Sequence, residues 1–446
     1  MSNCTLKRKL KKRSIQLDFS GGDVSGIGGV ELLRAADDRL GLCKAASRLM
    51  HDPRDQSGVT HQWDALVRQR IFAIAAGFAD LNDHQQLRHD AALQSAVGVL
   101  EPMGSAPTLC RMEAAIAQHS TVQARKTVFE MHRLILERFI ASFDEPPKSL
   151  ILDFDGTDDR VHGEQQGRAY NTHYDGYGFL PLYVYCGEKL LVSYLRPINR
   201  PDATHSAAVL SLLVKGIRAH WPQVNIVFRG DGGFYRPLLL SWCERHDVRY
   251  IVGYTTNKVL MSECQVSRET LSSCWLWFEH KDVDIPALKV FKDIDYQAGS
   301  WVRPRRVIAK MEYNEIGPNQ RFIVTDLVGE AEQLYSEVYC ERGTMENRHK
   351  ELQMGLFADR TSCTAWWSNQ LRVMFSSLGY VLWQTVREKG LAGTSLARAQ
   401  VWTLRQRLVH IGAVVIRNTR RIVIKLSSAA LEKENFLIAL QRLEAA

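Results

Sequence analysis

Between about Gly28 and Phe143, apolar residues recur at spacings of three and four with charges between them, as in "GVELLRAADDRLGLCKAASRLM", "HQWDALVRQRIFAIAAGFADL" and "TVQARKTVFEMHRLILERFIASF". That period gathers apolar side chains on one face of a helix and predicts an all-helical segment. "EPPK" at Glu145–Lys148 breaks the pattern, because proline fixes φ and removes a backbone donor. Apolar, β-branched and aromatic runs follow in "SLILDFD", "FLPLYVYC" and "KLLVSYLRP", close enough together for an antiparallel meander. A helix is then predicted over "THSAAVLSLLVKGIRAHW", a strand over "VNIVFRGD", a helix through "YRPLLLSWCERH" and a strand over "RYIVGYT".

Three meandering strands followed by alternating helix and strand is the order of an RNase-H-like α/β core. From about Asn257 to Val328 the alternation changes, and "CWLWFEH", "ALKVFKDIDY", "RRVIAKMEY" and "RFIVTDL" predict four strands with no helix between them. Helices resume near Glu330, run through "YCERGTMENRHKELQMG", and continue in the apolar "WWSNQLRVMFSSLGYVLWQTVR". No Asp or Glu occurs between Arg398 and Lys425, where "AVVIRNTRRIVIKL" predicts a β-hairpin turning near Asn418 and Thr419. The expected organisation is therefore an α/β catalytic core over 146–256 and 330–392, interrupted by a β-rich insertion over 257–329. A basic arm over 1–27, disordered through "KRKLKKR", and an all-α DNA-binding domain over 28–145 precede it, and a basic mixed region over 393–446 follows.

Charge adds a partner to this picture. The 446 residues carry a formal net charge of +8, which favours polyanions and nucleic acid above all. No apolar run approaches the ~20 residues that span a bilayer, so no membrane partner and a cytoplasmic location are expected. The nine cysteines form no C-x-x-C pair, a pattern that fits neither a disulfide framework nor a zinc finger.

Three places carry carboxylates suited to chemistry. "ILDFDGTDDRVHG" sets Asp153 and Asp155 at the end of an apolar run. A haloacid-dehalogenase-type phosphohydrolase presents its nucleophile this way, and a polynucleotidyl transferase its metal ligand. "VFRGDGGFYRP" ends a strand at Asp231, with glycines that let the chain turn and leave room for a ligand. In "YCERGTMENRHK", a regular helix puts Tyr339, Arg342 and Glu346 on one face with Lys350 a turn later. Glu346 then either closes a metal site between phosphate-binding cations or forms an ordinary i,i+4 pair with Arg342 in solvent. Two strand-end aspartates and a helical glutamate supply the hard oxygen ligands Mg2+ prefers, and paired metals stabilise the attacking and leaving oxygens of a phosphodiester. The phosphohydrolase alternative needs a further acid after "GD", but positions 235 and 236 are Tyr and Arg. Arg111, early in the helix of "APTLCRMEAAIA", and Arg417, Arg420 and Arg421 in the tail are candidate DNA contacts.

The strings "LDFDGTDDRVHGEQQG", "YDGYGFLPLYVYCG", "FRGDGGF", "YCERGTMENRHKEL" and "LRQRLVHIGAVVIRNTRRIVIKL" occur in this order along nearly the whole chain. Together they resemble a DDE transposase of bacterial insertion sequences with a Tyr-x2-Arg-x3-Glu third motif, most closely the family numbered thirteen-eighty. The resemblance implies Mg2+, for which Mn2+ substitutes, held by Asp155, Asp231 and Glu346. It leaves Asp153 on the opposite strand face or behind the ligands, Arg342 and Tyr339 on the phosphate beside the scissile bond, and Trp366 or Trp367 stacked on a base or packed in the core. Gln353 stands where that branch has a lysine, so Lys350 is the nearest basic candidate. Double-stranded DNA, as element ends and target, a homodimer in the synaptic complex and a nucleoid-associated location are implied too. The other class of reading is a DNA-binding derivative that has lost catalysis.

Overall fold

The computed structural model describes residues 4–11, 13–281, 283 and 285–445, in two compact units, 135–350 and 1–134 with 351–446. The second unit in chain order of its sheet, 135–350, is built on eight strands: β1 Ser149–Gly156, β2 Leu182–Cys186, β3 Lys189–Tyr194, β4 Asn225–Gly230, β5 Val248–Tyr254, β6 Leu288–Tyr296, β7 Arg305–Asn314 and β8 Gly317–Thr325. Their order across the sheet is β6-β7-β8-β5-β4-β1-β2-β3. β1, β4 and β5 run parallel, while β1-β2-β3 and β5-β8-β7-β6 pair antiparallel. The meander and the two crossover strands are as the hydrophobic pattern predicts.

Both faces of the central strands are covered, and the side chains divide with period two. Ile226 and Phe228 of β4 join Leu150, Leu152 and Phe154 of β1 against the helices Ser206–His220 and Pro237–Arg245. On the opposite face Val227, Ile151, Ile251, Ile308 and Ile323 pack with Ala331, Leu334 and Tyr335. Asp153, Asp155 and Arg229 share the parity of Ile151 and Val227, so they project to this second face.

The insertion differs from expectation. "CWLWFEH" lies within a helix, Gln265–His280, preceded by a helix Lys258–Glu263 that Asn257 caps by accepting from the Leu260 N–H at 3.0 Å. Its aromatic run resembles a strand only in isolation; the cap and the helix-forming residues before it decide the conformation locally. The other three predicted strands form, but as β6, β7 and β8 they extend the main sheet from β5 instead of making a separate subdomain.

The other unit joins the predicted N-terminal helices to chain 351–446. The helix Trp366–Thr385, expected in the catalytic core, belongs here and is buried at every position except Trp366, Trp367 and Val381. An apolar surface on all sides needs helices around it, and Trp63–Ala76 is one of them. The end of that helix leaves unpaired carbonyls. Ala75 O accepts from Trp383 Nε1 at 3.0 Å and Arg405 Nε at 3.2 Å. Beneath it Arg70 and Glu113, both 1% exposed, pair at 2.7 Å.

The arm expected to be disordered is a hairpin instead: Cys4–Leu10 pairs antiparallel with Arg13–Leu17. Lys11, which follows the first strand, has φ 55°. Val24–Ser25 pairs with Ala413–Arg417, which also forms the predicted tail hairpin with Ile422–Leu426. Asn418 makes that turn, its side-chain oxygen accepting from the Arg420 and Arg421 N–H groups at 3.0 Å. Among the described residues no helix is long and apolar enough to cross a membrane.

Candidate active site

The candidate site lies within unit 135–350, at the carboxyl ends of β1 and β4. Parallel register sets Gly230 opposite Phe154, so Asp231 follows β4 at the level where Asp155 follows Phe154 in β1. The chain then turns at Gly232–Phe234, and Asp231 caps the turn by accepting from the Gly233 N–H at 2.9 Å. A side chain on Gly233 would collide with the Asp202 carboxylate. Asp202, in the loop before the helix Ser206–His220, is thus a third acid beside the two expected ones. Buried Arg196 fastens that loop by donating to the backbone carbonyls of Asp202 and Thr204.

Burial pushes the Asp231 carboxyl up from its ordinary value, and the charges of Asp155 and Asp202 push the same way, while the Arg342 guanidinium and the Gly233 N–H oppose them. Tyr174 is likewise raised, by burial first and then by Asp202, Asp158, Asp155 and Asp231. The acids lie close enough for each to act on the others' charge, and Arg342 Nη1 lies 3.5 Å from Asp155 Oδ2. Such a donor set, hard oxygens with excess charge, suits a divalent cation.

Tyr339 and Arg342 lie at the site, and Glu346 is exposed on the helix that follows them. The Tyr339 hydroxyl packs against Gly253, where an added Cβ would lie 2.7 Å from it and 2.6 Å from the Gly232 nitrogen. Burial raises the Tyr339 phenol, with Arg342 opposing and Asp231 reinforcing the shift. Glu346 is exposed, and no group of three His, Cys, Asp or Glu side chains is set around one metal position among the described residues. The single regular helix expected from Tyr339 to Lys350 is π-wound over Leu334–Tyr339, 3-10 over Cys340–Thr344 and α over Met345–Lys350. At about 120° per residue in the 3-10 turn and 100° in the α turn, Glu346 lies roughly 80° from Arg342 instead of the roughly 40° of a regular helix, while His349 stays within about 20° in either winding. His349 Nε2 accordingly lies 3.3 Å from Asp155 Oδ2.

Asp153 shares the face of Asp155 but lies below it, 1% exposed, with both oxygens engaged by Arg229 Nε and Nη2. Arg229 also donates to the carbonyl of Val338, the residue before Tyr339. This pair ties the floor of the sheet to the third motif. It also removes the phosphohydrolase reading of the sequence, which needs Asp153 as a free nucleophile.

Of the remaining candidates, Lys350, Arg420 and Arg421 are exposed. Arg111 is exposed as well, with Nη2 3.3 Å from Thr108 Oγ1. Arg417 is spent within the fold, on Asp23 at 2.8 Å, on Gln94 and on the Leu100 carbonyl, both at 2.9 Å. Trp366 and Trp367 are half-buried at the start of their helix. Sequence reasoning passed over Asp202, Tyr174 and His349. Only His349 had a readable signal, three residues after Glu346 in the same motif.

Gly253 permits a close approach that any side chain forbids. Gly253→Ala is expected to cost about 1–3 kcal/mol through overpacking, read as a lower urea midpoint. Adding Tyr339→Phe, which removes one of the two obstacles, should return part of the loss; an unchanged midpoint in Gly253→Ala would contradict the packing described.

Among curated proteins, none matches this chain. A cryo-EM structure of a piggyBac transposase synaptic complex with hairpin DNA is similar at TM-score 0.41 and 12% identity, over 85% of this chain and 80% of that one. The family described as transposase DDE domain group 1 matches residues 7–446, so the chain belongs to that family of DDE transposases.

Proposed function

We propose that this protein is the transposase of a bacterial insertion sequence, of the family numbered thirteen-eighty, with an RNase-H-like core that cleaves and joins the ends of its element. The observation that carries this reading is the pairing of Asp155 and Asp231 at adjacent parallel strand ends, with Asp202 and Arg342 beside them. The strand order β3-β2-β1-β4-β5, with the third motif following an insertion after β5, supports the core assignment.

Divalent metal, Mg2+ or Mn2+, supplies Lewis-acid stabilisation of the attacking and leaving oxygens. Asp155 and Asp231 are the residues that would hold it, and Glu346 would complete the set from the helix over them. Arg342 neutralises the acids before DNA arrives and then turns to a phosphate oxygen, a bidentate partner for a guanidinium. Tyr339 fixes the backbone of the Asp231 turn from below. The hydroxyl that attacks is water in the first step and the freed 3′ end in the second. Arg420 and Arg421 at the hairpin tip, Arg111 and Lys350 contact DNA phosphates, and two copies hold the paired inverted repeats in a cut-and-paste reaction.

The test is a supercoiled plasmid carrying the DNA that flanks this gene, incubated with the protein and Mg2+. Nicking at the element ends with a free 3′-hydroxyl, then joining to a target plasmid, is expected; EDTA should stop both. Salt-dependent DNA binding without any cleavage in Mg2+ or Mn2+ would identify a derivative that has lost catalysis.

A further inference from the structure

We infer that His349 is the positioning residue for Asp155, holding its carboxylate in the orientation that receives metal; this rests on the transposase reading above. His349 is 8% exposed at its side chain, and its Nε2 lies 3.3 Å from Asp155 Oδ2. Both ring nitrogens are buried and neither makes a hydrogen bond in the free protein, so Nε2 stands within reach of Asp155 with its bonding capacity unspent. The ring is confined by Tyr183 and Tyr185, with centroids at 5.2 and 5.6 Å, the second edge-on at 87°.

That cage is a consequence of strand register. Tyr183 and Tyr185 of β2 are the register partners of Asp155 and Asp153 in β1, so the two rings form the surface directly beside the acids. Both rings are fully buried, and two χ angles each leave them little freedom to move. An imidazole wedged over them has Nε2 as its atom near Asp155, 3.3 Å from Oδ2. The other carboxylate oxygen, Oδ1, accepts from the Gly156 N–H at 3.0 Å. The Gly156 N–H holds one oxygen of Asp155 and a small rotation of either side chain would bring the other onto His349 Nε2, while Arg342 at 3.5 Å stands where an exchangeable cation can replace it. Ligating carboxylates are commonly held this way, and loss of such a partner typically costs about 10–100-fold in metal affinity or activity.

His349 follows Arg342 by seven residues, close to two full turns, so one short helix delivers both the cation and the positioning ring to Asp155.

The experiment compares H349L, which fills the aromatic cage without a donor, with H349Q, whose amide nitrogen can occupy the Nε2 position. Mn2+ affinity is read by electron paramagnetic resonance, and nicking is followed across a metal titration. In H349L we expect affinity lowered by about tenfold or more, with the metal concentration for half-maximal nicking raised in parallel and the rate at saturating metal changed much less. H349Q should recover most of the affinity. If H349L does not fold, H349F replaces it in the same comparison. Wild-type Mn2+ affinity in the donor-free variant overturns the inference, and so does H349Q as impaired as H349L. An Asp231→Asn protein that still binds Mn2+ and cleaves DNA would overturn the transposase reading itself, whatever the His349 variants do.

Discussion

Asp231→Asn is expected to lower metal-dependent DNA cleavage by about 1000-fold or more, and at the same time to make the protein more stable. The first effect follows from charge: a ligand that loses its anionic form forfeits several kcal/mol of transition-state stabilisation, and every 1.36 kcal/mol is about tenfold in rate. The second follows from where Asp231 stands. Burial and the neighbouring acids Asp155 and Asp202 raise its carboxyl, so ionising it costs the native state free energy that Arg342 only partly offsets. Because the folded value lies above the unfolded one, the native state holds the proton longer. Its stability relative to the Asn variant therefore falls as pH rises from the unfolded carboxylate range, near 4, through the raised folded value, and the penalty is complete above that.

The pair of melting curves should consequently coincide at acid pH and separate towards neutrality, the variant melting higher by roughly 1–4 °C. Added Mn2+ should raise the wild type more than the variant, since only a native-state ligand shifts the transition. A variant that melts lower at neutral pH would mean that Asp231 is a structural carboxylate, with its bond to the Gly233 N–H outweighing the repulsion. Conflict of this kind, an acid that costs stability where it gives function, is the physical signature of a site kept for chemistry.

How much of this was legible in the sequence depends on the range of the forces involved. The strands around Asp155 and Asp231 were readable because a doubly covered parallel sheet writes near-continuous apolar runs, and glycines after Asp231 mark a turn that only a small residue permits. The Gln265–His280 helix was misread because its burial is slight, Leu271 alone being buried, so no apolar stripe marked its period. The place of Trp366–Thr385 was unreadable for another reason. An apolar run says that a helix is buried, not which distant segment buries it, and here the partners are about 300 residues earlier at Ile74 and Ala75. In the third motif the residue types were legible and the winding was not. A regular helix puts both Glu346 and His349 near the face of Arg342; the 3-10 turn swings Glu346 further away and leaves His349 in place, and nothing local in "YCERGTMENRHK" announces that change. Asp202 is brought to Asp231 by a loop 29 positions away, through contact with Gly233.

The second large effect concerns Arg229. Replacing it with Met leaves the Asp153 carboxylate, 1% exposed, without the cation that engages both its oxygens, and is expected to cost about 3–5 kcal/mol of stability. The loss should appear as a lower urea midpoint for unit 135–350. A double variant, Asp153→Leu with Arg229→Met, removes the stranded charge and should recover most of that loss, because a well-packed apolar pair is often as stable as the buried ion pair it replaces. Stability and function then separate. Arg229 also holds the Val338 carbonyl, and through it the backbone that delivers Tyr339 and Arg342 to Asp231 and Asp155. No apolar side chain restores that bond. The double variant should therefore fold nearly as firmly as wild type yet cleave DNA far more slowly at saturating metal, whereas full activity in it would mean that the π-wound segment is held by the packing of Leu334 and Tyr335 alone.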